Sequence, residues 1–205
     1  MTDIRAAVAA ERTELAALLS DLPAEDWDRP TLCAGWRVRE LVAHITMPYR
    51  SSMPRFLLGM VKARGKFDVY ADRQARQDAA DLSAAELTES LRQNVDHPWK
   101  PPGGGYEGAL SHDVIHGLDL TVGLGIDRSV PADRLHLILD DLKPRQLKYF
   151  GVDLTGIQLR ATDLDWSHGT GEVLSGKAQD LLLVLCGRTL PVDHLTGKSA
   201  DRFTR

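Results

Sequence analysis

Between residues 3 and 20, Ile4, Val8, Leu15, Leu18 and Leu19 recur at helical spacing among Ala, Arg and Glu. The pattern predicts an amphipathic helix with Thr2 placed to cap it. LPAEDWDRPTLCAGW then breaks the period with two prolines, a glycine and two tryptophans, which predicts a packed connecting loop anchored by Trp27 and Trp36. Helical spacing returns with Val38, Leu41, Val42 and Ile45, predicting a helix over 37–47 that Pro48 kinks or breaks. Further helices are predicted over 52–64 and 68–80. Ser83 and Glu86 spell a capping box that opens another, running to about Asn94.

HPWKPPGGGYEG carries three prolines and four glycines and is predicted as loop. ALSHDVIHGLDLTVGLG follows, with Leu110, Val114, Leu118 and Val122 at four-residue steps, and predicts a helix ending near Gly123 or Gly125. Pro131 opens a helix predicted to run to about Leu142. Beyond Phe150 the texture changes to alternation: GIQLRATDLDWSHGTGEVLSG predicts two short strands joined by a turn at Gly169-Thr170-Gly171. A last helix, KAQDLLLVLCGR, is predicted to pack Leu181, Leu182, Val184 and Leu185 on that sheet. The sum is a mainly α chain with a small α/β part: a helical bundle over 1–150 and a small α/β domain over 151–205, without internal repeat.

Composition fits such a molecule. The 205 residues are 43% hydrophobic, enough for a real core, and 25 basic against 29 acidic side chains leave a net charge of -4. No basic stripe points to nucleic acid. No window approaches 18 consecutive apolar residues, and MTDIRAAVAAERTEL has no apolar stretch before a small-residue cleavage site, so neither export nor a membrane span is expected. Cys33 and Cys186, 153 positions apart with no CxxC, fit a reducing cytoplasm.

His112 and His116, four apart on one predicted helix, share a face one turn apart, a spacing that suits two ligands on one metal. His44, among Val42, Ala43 and Ile45, supplies a third imidazole if it points into the bundle. Three neutral histidines would hold Zn²⁺ or another borderline divalent ion and leave one position open, a catalytic pattern rather than a structural one. The plainer reading is a solvated i,i+4 pair and a core histidine. Asp119, three after His116, and Asp113 are candidates to accept the outer ring N–H of such ligands. Glu40 is the corresponding carboxylate near His44, or an exposed charge beside Arg37. Cys33 is read as a buried, inert thiol beside Trp36 in preference to an activated one or a ligand, and Cys186 as core. PPGGGYEG lacks the preceding strand and the GKT or GKS of a phosphate loop. His97, His136, His168 and His194 stand in loop-like or exposed contexts and are set aside.

Trp27-x-x-Pro30-Thr31-x-Cys33-x-Gly35-Trp36-x-Val38-Arg39-Glu40-Leu41-Val42-Ala43-His44 resembles the opening signature of the mycothiol-dependent maleylpyruvate isomerase family, a branch of the DinB-like four-helix metalloproteins. His112-x-x-x-His116-Gly117-x-Asp119-Leu120 resembles that family's later metal-binding helix. Thr162-Asp163-x-Asp165-Trp166, with Gly176-x-Ala178-x-Asp180-Leu181-Leu182-Leu183 and Gly187-Arg188, resembles its small C-terminal domain.

The resemblance implies a DinB-like up-down four-helix bundle followed by a small C-terminal α/β domain, with a divalent ion, zinc first among them, on His44, His112 and His116. Asp119 stands behind His116. The ion's open position receives mycothiol, a low-molecular-weight bacterial thiol, for an isomerase or S-transferase acting on a small electrophile such as maleylpyruvate. One departure is that the isomerase carries glutamate where His112 stands, so the ligand set here would be a full unit more positive. A dianionic substrate calls for an arginine fork, and Arg188 is the catalytic candidate. A non-catalytic metal- or ligand-binding protein and a metal-dependent hydrolase are the alternatives. The expected partners are the thiol and the small electrophile, with the protein a cytoplasmic monomer or homodimer.

Overall fold

The structure, a computed structural model, describes residues 3–140, 142 and 144–205. It divides into two compact units, Met1–Leu120 and Thr121–Arg205. The boundary expected between 150 and 151 lies inside the second.

The first unit is helical: α1 Ile4–Asp21, a 3-10 turn Ala24–Asp28, α2 Val38–Arg50, α3 Met53–Lys62, α4 Phe67–Asp81, α5 Ala84–Arg92 and α6 Gly105–Leu124. The predicted cap Thr2 lies outside the described residues. Asp3 caps α1, its carboxylate accepting the Arg5 N–H at 3.0 Å. Ser83 and Glu86 form the predicted box, with the Ser83 N–H donating to Glu86 Oε2 at 2.8 Å. Leu15, Leu41, Ile45, Leu87, Leu91, Leu110 and Leu118 are fully buried, as burial of one stripe per helix requires. α2 packs against α4 and α5, and α1 against α5. On α3, Phe56 and Met60 close over Met47, Ala63 and Tyr70.

Three details differ from expectation. α2 runs through Pro48 to Arg50, because a proline in a last turn removes only one N–H, the one that would reach the His44 carbonyl. α6 begins inside the predicted loop, at Gly105. Pro101 explains the glycine at 108: a Cβ there would stand 2.8 Å from the Pro101 ring. Glu40, at 3% exposure, is neither solvated nor beside His44. Its carboxylate accepts the Arg37 backbone N–H at 2.9 Å and the Arg37 Nε–H at 3.1 Å, closing the N-terminus of α2. Trp27, 2% exposed, and Trp36, whose Nε1–H donates to Asp72 at 2.8 Å, do anchor the loop between α1 and α2.

The second unit holds α7 Ala132–Leu139, α8 Pro144–Phe150, β1 Ile157–Ala161, β2 Ser167–Gly169, β3 Glu172–Gly176, α9 Ala178–Leu185 and β4 Leu195–Thr196. α7 stops at Leu139, short of the predicted Leu142, and Asp141 lies outside the described residues. The two expected strands are four, in the order β2-β1-β3-β4, with β1 antiparallel to β2 and parallel to β3. The predicted turn at 169–171 therefore joins β2 to β3 without making them a hairpin. The chain crosses the start of β1 instead, so close that a Cβ on Gly169 would stand 2.5 Å from the Ile157 carbonyl and one on Gly171 2.2 Å from the Gly156 carbonyl. α9 packs on β1 and β3, as predicted, through an apolar run buried from Leu181 to Leu185. Among the described residues no helix is long and apolar enough to cross a membrane.

Burial would raise the Glu40 carboxyl, but its Arg37 hydrogen bonds outweigh that, so it titrates below the ordinary 4.5. A depressed folded-state pKa stabilises the fold above about 4.5, and the contribution fades as pH falls through the folded-state value. Glu40→Gln is expected to lower stability at pH 7 by about 1 kcal/mol, the scale of a lost cap. Urea melts across the acid range should show the gap from the parent closing below about pH 4.

Candidate functional site

His44 projects from the middle of α2, flanked by the fully buried Ala43 and Ile45, and is itself 7% exposed. His112 and His116 stand one turn apart on α6 and meet it edge-on. Ring centroids are 5.2 Å from His44 to His112, 5.0 Å from His44 to His116 and 4.7 Å between the α6 pair. One ring nitrogen from each lies within 4.8 Å of the others. His44 Nε2 is 3.3 Å from His112 Nε2. Two nitrogens held tetrahedrally at about 2.05 Å from one ion stand about 3.3 Å apart, so this edge is already of the size a zinc-like ion needs.

Electrostatics orient the rings. His112 Nδ1–H donates to Asp113 Oδ1 at 2.8 Å and His116 Nδ1–H to Asp119 Oδ2 at 3.1 Å, both carboxylates without solvent exposure. An ionised carboxylate only accepts, so each Nδ1 carries the proton and each Nε2 is left with its lone pair. Burial, and then the neighbouring His116 and His112, push His44 well below the usual 6.5, so it is neutral at pH 7. Its Nδ1 is buried without a hydrogen-bond partner. Three imidazoles with ring nitrogens gathered this closely suit a cation.

The outer carboxylates are themselves held. Arg12, fully buried on α1, donates from Nε to Asp113 Oδ2 at 2.7 Å and from Nη1 to the His97 carbonyl at 2.8 Å. That second bond fixes the loop carrying Trp99, whose ring lies 5.1 Å from His112. Trp36 covers the other side, 4.9 Å from His44. Cys33, half-exposed, donates its S–H to Asp119 Oδ2 at 3.0 Å.

Of the residues predicted from sequence, His44, His112, His116 and Asp119 come together here. Arg188 belongs to the second unit, where it follows α9, half-buried, with Nη1 donating to the Cys186 carbonyl at 3.2 Å. Arg12 went unpredicted, although a signal was present: an arginine stands in the apolar stripe between Val8 and Leu15. Cys33, expected to be inert, is bonded to the site.

Residues 8–98 match the family model of the mycothiol maleylpyruvate isomerase N-terminal domain. The resemblance to that domain is thus confined to the N-terminal part of the chain. The match spans His44 and Cys33; His112 and His116 lie beyond it. Two crystal structures share the fold over 98% of this chain and 97% of theirs. One is of the mycothiol-dependent maleylpyruvate isomerase, with TM-score 0.57 at 15% identity, and the other of a histidine-to-alanine mutant of it, with TM-score 0.50 at 16% identity. No curated sequence matches the chain.

Removing one member of a buried ion pair strands the other, at about 3–5 kcal/mol. Arg12→Met is expected to destabilise on that scale in urea melts. Arg12→Met/Asp113→Asn, which leaves no stranded charge, should recover most of the loss.

Proposed function

We infer that this protein is a metal-dependent, mycothiol-dependent isomerase or S-transferase for a small electrophile of the maleylpyruvate kind. The observation that carries the reading is the convergence of three imidazoles, two of them backed by buried carboxylates. With a divalent ion and a thiol bound, the centre would supply a thiolate near neutral pH, a nucleophile that adds reversibly to an activated double bond and so frees it to rotate.

The chain's own residues do the rest. His44, His112 and His116 would hold the ion through Nε2, with zinc the first choice for an all-imidazole set. Asp113 and Asp119 keep the α6 rings in the tautomer that presents Nε2. Arg12 neutralises Asp113, so that His112 is held by an ionised acceptor that does not need solvent. The Trp36 and Trp99 rings lie against His44 and His112 and shield them from water. Arg188 is assigned to the substrate carboxylates, on the resemblance of its Gly-Arg motif. The chemistry belongs to a reducing cytoplasm, where a small thiol persists.

Elemental analysis of the untagged protein, beside His112→Ala, tests the centre: about one equivalent at the three histidines is expected in the parent and little at that position in the variant. Maleylpyruvate isomerisation should then require both metal and mycothiol, and chelation should abolish it. Turnover without any thiol would point to a hydrolase. Metal binding with no turnover of any electrophile would leave a binding protein. Arg188→Ala should raise KM for a dianionic substrate at least tenfold, and an unchanged KM would remove that assignment.

A further inference from the structure

His116 has two ring nitrogens, and Nδ1 faces away from the three-histidine cluster into a second group of donors. Cys33 Sγ, His116 Nδ1 and Asp119 Oδ2 form a triangle with edges of 3.8 Å (Sγ to Nδ1), 3.1 Å (Nδ1 to Oδ2) and 3.0 Å (Sγ to Oδ2). Their donor atoms lie within the reach of one metal ion. Thiolate, imidazole and carboxylate bound tetrahedrally to a single zinc-sized ion stand about 3.6, 3.3 and 3.5 Å apart in the same order. Small side-chain rotations of about half an ångström per edge convert one triangle into the other.

Backbone bonds hold the thiol there. The Leu32 N–H donates to the carbonyl of Asp119 itself at 3.0 Å, the Cys33 N–H to Thr31 Oγ1 at 3.2 Å and the Trp36 N–H to the Cys33 carbonyl at 3.0 Å. The loop before α2 is thus registered on α6 at the residue whose carboxylate it meets. Cys33 is partly buried and Asp119 fully buried.

Charge favours the exchange. Two protons, on Cys33 Sγ and His116 Nδ1, are both donated to one oxygen of a buried carboxylate. One divalent cation replacing those two protons leaves the net charge of the buried group unchanged, so no uncompensated charge enters. We propose that Cys33, Asp119 and His116 Nδ1 form a second binding position for a thiophilic divalent ion of the zinc or cobalt class, joined to the three-histidine position through the His116 imidazole. Binding forms M–S, M–N and M–O bonds and releases the Cys33 proton and, with both His116 ring nitrogens ligated, the Nδ1 proton to solvent, leaving His116 as an imidazolate bridge, with no change of oxidation state. The proposal goes beyond the functional reading and shares His116 and Asp119 with it.

The test is a Co²⁺ titration of the full-length, chelator-stripped protein without added thiol, followed by thiolate-to-cobalt charge-transfer absorption, bound equivalents and released protons. The parent is expected to bind two equivalents and show the charge-transfer band, with two protons released per ion at this position. Cys33→Ser should lose the band and one equivalent, which also excludes Cys186 as the source, and Asp119→Asn should lose the same equivalent. His44→Ala should lose the other equivalent and keep the band. One equivalent with no thiolate band, unchanged in Cys33→Ser, would overturn the proposal and leave Cys33 and Asp119 as hydrogen-bond partners of His116. A thiolate band with a single equivalent would overturn the two-position arrangement. Retention of the band with no equivalent lost in His44→Ala would fault the three-histidine reading alone.

Discussion

An arginine and an aspartate, neither exposed to solvent, face each other at 2.7 Å between α1 and α6. Desolvating both ions costs several kcal/mol each, and their attraction offsets this only where the remaining polar atoms are also used. Here they largely are: Arg12 Nη1 reaches the carbonyls of Val95 and His97, and the second Asp113 oxygen accepts the His112 Nδ1–H. One pair therefore ties α1, the loop before α6 and an imidazole into a single register. The same aspartate that makes the pair tolerable inside the bundle fixes which nitrogen of His112 is available for chemistry.

The charge pattern around the three histidines follows from that arrangement. Carboxylates stand behind the two α6 rings, Asp113 behind His112 and Asp119 behind His116. On α6 the Asp113 carboxylate stands one residue beyond the His112 imidazole, and Arg12 balances its charge. His44 has no such carboxylate; its burial and its two histidine neighbours hold it neutral without one. The imidazole on α2 is thus fixed by packing, and the two on α6 by hydrogen bonds.

The motif residues of the second unit carry structure. Asp163 accepts the Ala178 N–H at 2.8 Å and caps α9. Gln179 closes the segment before α7, accepting the Val130 N–H at 3.0 Å and donating to the Arg128 carbonyl at 2.8 Å. Asp180, pushed up by burial against the pull of His194, accepts from that ring at 3.0 Å. These bonds hold the second unit together across its loops.

Local physics was legible along the chain. Helical period, the Ser83–Glu86 box, the stop of α6 at Gly125 and the i,i+4 placement of His112 and His116 all depend on residues within a turn or two of one another. Arg12 could have been noticed as an arginine in an apolar stripe, but its partner lies 101 positions away. Pairing at that distance leaves no periodic trace. The strand order β2-β1-β3-β4 was hidden for the same reason, because sequence proximity favoured a hairpin at Gly169–Gly171 that the crossing over β1 replaces. Glu40 and Cys33 kept their neighbours and changed their roles once burial was decided. Sequence determined which residue types were on hand and which faces they shared within an element. Tertiary structure alone decided which faces met, and with them which carboxylate fixed which tautomer, since burial and hydrogen-bond partners are properties of the packed chain.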